Sequence, residues 1–258
     1  MATFDTLRYE VADGLARLTL DRPEHRNAMT NRMVAEATRA LELAAVDESL
    51  RVLVLTGAGD SFCPGADLNH FTSGEPDDRL TERDFAVASL LHEIPAVTVA
   101  AVNGACAGAG LGWALACDLR VMTASAKCNT AFLDVAVAGD MGIPWSLPRI
   151  VGAGRARDLS FLPRRVTAAE ALDIGLIGHV VPDGTALDKA YEIAEVIAGN
   201  GPLAVAAILK TLHDTDGMTE AEALAYELDY GRAVFDSDDA KEGPLAFTQK
   251  RKPNFQGK

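Results

Sequence analysis

From Ile94 to Cys117 the chain reads IPAVTVAAVNGACAGAGLGWALAC, with no charged residue. That length matches a membrane span, for which about 20 apolar residues suffice. However, Pro95, Asn103, Gly104, Gly108, Gly110 and Gly112 interrupt the run, and such residues weaken a helix. A buried strand from Ala96 to Val102, a glycine-rich turn, and a buried helix starting near Gly108 and ending before Asp118 fit better. No membrane insertion is expected. Strand, turn and helix in that order form the repeating unit of a parallel α/β fold.

The flanking sequence repeats the alternation. Leu15 to Leu20 predicts a strand ended by Asp21-Arg22-Pro23. Thr30 or Asn31 can cap a helix whose apolar face is Met33, Ala37, Ala40, Leu41 and Ala44. Val52 to Leu55 is a continuous apolar run, closed by Gly57-Ala58-Gly59-Asp60, and Leu119 to Met122 is a further strand. A helix is expected from about Glu82 to His92. Thr167-Ala168-Ala169-Glu170 and Thr219-Glu220-Ala221-Glu222 read as capping boxes, and Gly201-Pro202 opens another helix. The last quarter is therefore helical, with no linker composition separating it.

The 258 residues are 48% apolar and 24% charged, a globular balance that excludes a mostly disordered chain. Lys plus Arg is 24 against 37 Asp plus Glu, a formal charge of −13. Such a surface repels phosphate backbones, so no nucleic acid is expected as a partner, although a local basic site for a small anion stays open. Cys63, Cys106, Cys117 and Cys128 form no CxxC pair and no zinc-like spacing. They read as reduced core residues. With no basic-then-apolar start, the expected compartment is a reducing cytoplasm.

Two glycine-rich turns follow buried strands: Ser61-Phe62-Cys63-Pro64-Gly65-Ala66-Asp67-Leu68, and Asn103 to Gly112. Small residues admit a ligand close to the backbone, where free N–H groups can hold an oxyanion. A helix beginning at Ala109 would add its positive end. Packing alone would also explain the glycines. Gly108-x-Gly110-x-Gly112 lacks the dinucleotide-binding spacing, Gly57-x-Gly59 lacks a phosphate-loop lysine, and no G-x-S-x-G elbow is present.

Several longer motifs occur in one order. They are Asp21-Arg22-Pro23 with Arg26-Asn27-Ala28-Met29, Phe62 to Leu68, Ala101-Val102-Asn103-Gly104, and Ala114 to Arg120. Leu147 to Gly152, Ala168 to Ala171 with Gly175-Leu176-Ile177, and Pro253-Asn254-Phe255 complete the set. Together the chain resembles the crotonase (enoyl-CoA hydratase/isomerase) family over nearly its whole length. The resemblance implies a crotonase-like α/β spiral of βαβ units over residues 1–195. A helical C-terminal region over 196–258 would pack trimers, often paired into hexamers, within the same domain. It implies an acyl-CoA thioester as substrate and no further cofactor or metal. The N–H groups of Ala66 and Ala109 would hold the thioester oxygen. Ala66, Asp67, Leu68 and Asn69 would line the path of CoA, with Ala28 near its adenine, and Gly108 would also bind substrate.

The family's hydratases use two glutamates, and their positions fall here on Gly112 and Phe132. A two-glutamate hydratase is not expected. One acid remains in a motif that resembles the family's double-bond isomerases, Asp140 in Gly139-Asp140-Met141-Gly142. As a lone residue, Asp140 would equally suit a helix cap. Phe132, Met141 and Trp145 would give it apolar surroundings that raise its pKa, and Trp113 would shape the acyl pocket. The expected activity is an enoyl-CoA double-bond shift with Asp140 as acid and base. Residual hydration, aryl-CoA dehalogenation with an aspartate nucleophile (which would also want a well-placed histidine, a place His92 does not fill), or acyl-CoA binding without chemistry are the alternatives. The stretch from Asn69 to Arg83 is expected to border the acyl group.

Overall fold

The computed structural model describes residues 3–74 and 78–258. The chain opens with a hairpin, β1 (Leu7–Ala12) and β2 (Leu15–Leu20), antiparallel with Leu7 opposite Leu20. Asp13 and Gly14 join them at φ 51° and 76°, the left-handed pair that a tight hairpin turn requires. Helix α1 (Asn31–Ala45) starts on Thr30, whose hydroxyl accepts from the Met33 N–H, and all five predicted face residues are buried. There follow β3 (Val52–Gly57), β4 (Ser61–Cys63), α2 (Leu68–Ser73), α3 (Val87–Glu93), β5 (Val97–Val102), β6 (Ala105–Ala107) and α4 (Ala109–Ala116). Next come β7 (Leu119–Thr123), β8 (Lys127–Asn129), α5 (Ile143–Val151), α6 (Ala153–Phe161), β9 (Val166–Thr167), α7 (Ala168–Asp173) and β10 (His179–Val181). Helices α8 (Ala186–Ala198), α9 (Pro202–Asp214), α10 (Glu220–Phe235) and α11 (Asp238–Thr248) close the order.

The strands form two sheets, ordered β1-β2-β3-β5-β7-β10 and β4-β6-β8-β9. From β2 to β10 every pairing of the larger sheet is parallel. All six residues of β3 are buried, as a strand covered on both faces requires. The chain repeatedly visits the larger sheet, then the smaller, then a helix: β3-β4-α2, β5-β6-α4, β7-β8. This is the spiral of βαβ units that the resemblance implies. The segment from Ile94 to Cys117 is β5, β6 and α4, and no single helix among the described residues is long and apolar enough to cross a membrane.

The described residues fall into two compact units, Met1–Glu192 and Ile193–Lys258. In the second, Thr219 and Glu222 form a complete capping box at the start of α10. The other expected box is only half made. Thr167 accepts from the Glu170 N–H, but the Glu170 carboxylate turns to Arg164, 2.8 and 2.5 Å away. The helix expected from Glu82 begins later. Asp84 accepts from the Thr81 N–H and hydroxyl at 2.7 and 2.8 Å, so a short 3-10 turn, Asp84–Ala86, precedes α3. Part of the Asn69–Arg83 stretch is helix α2, and residues 75–77 lie outside those described.

Candidate active site

Ala66 lies between two backbone hydrogen bonds. Met29 N–H donates to Gly65 O at 2.8 Å, and Asp67 N–H donates to Met29 O at 2.9 Å. In a parallel bridge the residue between such bonds turns its own N–H the other way, and Ala66 pairs with Met29 in this manner. Its N–H is directed away from Met29, and among the described residues it has no protein acceptor. Gly65, at φ 103°, makes this turn possible: a Cβ there would stand 3.1 Å from Ala107 O and 3.6 Å from the Gly108 Cα. The two glycine-rich turns therefore touch, backbone against backbone.

On the other side, Gly108 (φ 50°, ψ −129°) precedes α4 with no side-chain cap. The first N–H groups of a helix lack intrahelical partners, and among the described residues the Ala109 N–H, at the positive end of α4, has no backbone acceptor. Every residue of α4 is buried. The far end is tied down as well. Asp118 accepts from the Thr98 N–H and hydroxyl at 2.7 Å each, and Arg120 donates to Cys117 O at 2.5 Å and Leu176 O at 2.9 Å. Gly110 packs on Cys63, where a Cβ would meet the thiol sulfur at 2.8 Å. Cys63, Cys106 and Cys128 are register partners across the smaller sheet. All four cysteines are free and buried, and burial pushes the Cys63 thiol up to about 12.

Asp140 sits on the segment that packs against α4, the helix that the second turn opens. Met141, buried and non-glycine, has φ 46°, and Gly142 has φ 82°, so the chain reverses sharply after the acid. Helix α5 starts at Ile143 on Gly142 without a side-chain cap; Asp140 is not its cap. Residue 140 is exposed overall, yet desolvation of its carboxyl raises the pKa above the ordinary aspartate value, against a smaller lowering by its own N–H. Gly112 meets the same segment: a Cβ there would lie 2.5 Å from Met141 O and 2.9 Å from Met141 Cβ. The space a side chain at 112 would need is filled by the turn that carries Asp140. Phe132 links the two halves, its ring within 4.0 Å of a Cβ at Gly108 and 3.7 Å of one at Gly139.

The other candidates divide. Trp113 is buried, and among the described residues its indole N–H has no partner. Trp145 is half exposed, with the His92 ring centroid at 5.5 Å and the Arg149 guanidinium 4.0 Å over its face. Leu68 and Asn69 are exposed on α2, and Ala28 is half-buried. The Asp67 side chain points inward rather than along a ligand path: it is buried, caps α2 by accepting from the His70 N–H, and pairs with Arg22 at 3.0 Å. A cleft of about 460 Å³ opens beside Phe132 and Gly139, lined also by Ile143, Pro144, Leu147 and Phe161. Arg22, Asn27 and Cys63 were not read as site residues, although the motifs that contain them were.

Over residues 10–258 the chain matches the family model for enoyl-CoA hydratase/isomerase. The chain belongs to that family. Enoyl-CoA hydratase EchA19 of Mycobacterium tuberculosis is 40% identical over 93% of this chain and 92% of its own. The 1,2-epoxyphenylacetyl-CoA isomerase of Escherichia coli is 35% identical over 96% and 97%. The crystal structure of an enoyl-CoA hydratase from Bacillus anthracis superposes with a TM-score of 0.90 at 30% identity, covering 98% of this chain and all of that one. Family members named as hydratases and as isomerases are thus similarly close, and the choice between the two chemistries has to come from the site.

Proposed function

We propose that the protein shifts the double bond of an enoyl-CoA thioester with Asp140 as the only acid–base group. The observation that carries this reading is the contact of Gly112 with Met141. The position of the first hydratase glutamate has no side chain and no room for one, because the Asp140 turn occupies it. The second glutamate position holds Phe132. Hydration needs one group to activate water and another to deliver a proton; an allylic shift needs one group that takes a proton and returns it.

In the proposed reaction the Asp140 carboxylate removes a proton from Cα of a 3-enoyl-CoA. The C–H electron pair moves into the Cα–carbonyl bond, and the thioester oxygen becomes a dienolate oxygen held by the Ala66 and Ala109 N–H groups. Electrons then return through the conjugated system to Cγ, which takes the proton back from the Asp140 carboxylic acid. The product is the 2-enoyl-CoA, with no atom gained or lost. A raised pKa makes the carboxylate a better base and its acid a usable donor. No metal or redox group enters this balance. Trimers are part of the proposal, supported by the exposed Ile208, Leu212, Leu224, Leu228 and Phe235 on α9 and α10; light scattering should then give three or six times the 27.3 kDa chain mass.

An NMR time course with 3-hexenoyl-CoA tests the chemistry. Wild type should yield 2-hexenoyl-CoA, and Asp140→Asn should lower turnover by about 10²–10⁴-fold, the usual worth of a positioned acid–base group. Unchanged turnover in the variant would remove Asp140 from the mechanism.

A further inference from the structure

The motif Asp21-Arg22-Pro23 with Arg26-Asn27-Ala28-Met29 lies outside the reaction described above, yet the structure gives it a definite task. Arg22 Nη1 donates to two acceptors at once, Ala28 O at 2.5 Å and Asp67 Oδ2 at 3.0 Å. These flank the bridge that holds Ala66: Ala28 precedes Met29, and Asp67 follows Ala66. The side chains of Arg22 and Asp67 are only 14% and 7% exposed, so the pair is shielded from screening by water and salt. Asn27, fully buried at φ 61°, fixes the same loop. Its Oδ1 accepts from the Arg22 N–H at 2.9 Å, and its Nδ2 donates to Ala58 O at 2.9 Å and Ser61 O at 2.7 Å.

We infer that Arg22 and Asp67 form a positioning clamp that sets the direction of the Ala66 N–H toward the thioester oxygen. The clamp touches no reacting atom. It acts by locking the strand-to-strand register on both sides of Ala66, so that the donor is already aimed before charge develops. Preorganised donors of this kind act mainly on the transition state, so the clamp governs kcat and carbonyl polarisation more than affinity for CoA. The inference rests on the proposed role of Ala66.

The variants are chosen to keep the fold. Asp67→Asn retains an oxygen that can cap α2, since asparagine caps as well as aspartate, but loses the charged partner of Arg22. Arg22→Lys keeps the charge but its side chain is one bond shorter, so the ammonium cannot stand where Nη1 meets both Ala28 O and Asp67 Oδ2. The probe is cinnamoyl-CoA, whose conjugated thioester absorbs at longer wavelength when strong hydrogen bonds polarise its carbonyl. Wild type and Asp140→Asn should both show the red shift on binding. Asp67→Asn and Arg22→Lys should lose most of it. Their kcat should fall about 10–100-fold, part of the 10²–10³ that removal of a whole oxyanion donor costs, with the Kd for butyryl-CoA within about threefold of wild type. A red shift and kcat retained in both folded variants would overturn the clamp while leaving Ala66 in place. No red shift even in wild type would instead remove the Ala66 donor, and the clamp with it.

Discussion

The role proposed for Asp140 rests on a costly turn. A left-handed Met141 costs of order 1–3 kcal/mol, and it persists because Met141 is wedged against Gly112 and buried. The result is a carboxyl with a raised pKa. Two consequences follow at this scale. The base form is the carboxylate, so kcat/KM should rise with pH through an apparent pKa above the ordinary aspartate value of about 3.9; a pH–rate profile whose acid limb lies at or below that value would contradict the assignment. For stability the sign is the reverse of a salt-bridged acid. A carboxyl with a folded pKa above its unfolded pKa favours folding at low pH, and that contribution is lost as pH rises through the folded pKa. At neutral pH Asp140→Asn should therefore raise Tm slightly while it destroys activity, checked by thermal melts of both proteins at pH 7. Little of this was legible beforehand. The acid and its glycines stood out in the sequence, but the same letters suited a helix cap, a reading that the start of α5 on Gly142 removes.

At the scale of elements, α4 sets the site because it is buried on all sides and fixed at both ends. Gly110 and Gly112 are required by close approach, to Cys63 and to Met141. Gly112→Glu, the substitution that would restore a hydratase glutamate, should give no hydratase. It forces apart α4 and the Asp140 turn, with a loss of about 1–3 kcal/mol expected of overpacking; urea unfolding measures it. The three aligned cysteines beneath should ignore a thiol reagent in the native state, with all four cysteines reacting in denaturant, since the buried thiols do not ionise. The order strand, turn, helix from Ile94 to Cys117 was legible because glycine placement rules out one long helix. The hairpin of β1 and β2 was not read, although Asp13-Gly14 announces it. β1 buries only Leu7 fully, so its hydrophobic pattern is too weak to mark a strand.

At the scale of the molecule, the family's motifs divide between chemistry and scaffolding. Asp67 passed in sequence as a ligand contact, and its inward partner Arg22 is 45 residues away; no local pattern joins them. The tail motif is similar. Asp239, buried, accepts from the Gln256 and Gly257 N–H groups at 2.6 and 2.8 Å, and Phe255 packs near Gly201 and Gly243. Asp239→Ala should free the tail from this anchor and cost about 0.5–1.5 kcal/mol per lost hydrogen bond, because water can reach the released N–H groups, seen as a lower Tm. The central claim is that one carboxylate carries a proton from Cα to Cγ. The direct measurement uses 3-hexenoyl-CoA deuterated at both C2 positions, in ordinary water, with deuterium NMR of the product. The account predicts 2-hexenoyl-CoA with deuterium at C4, carried there by Asp140. Deuterium at C4 formed equally fast by Asp140→Asn, or 3-hydroxyhexanoyl-CoA in place of the 2-enoyl product, would contradict it.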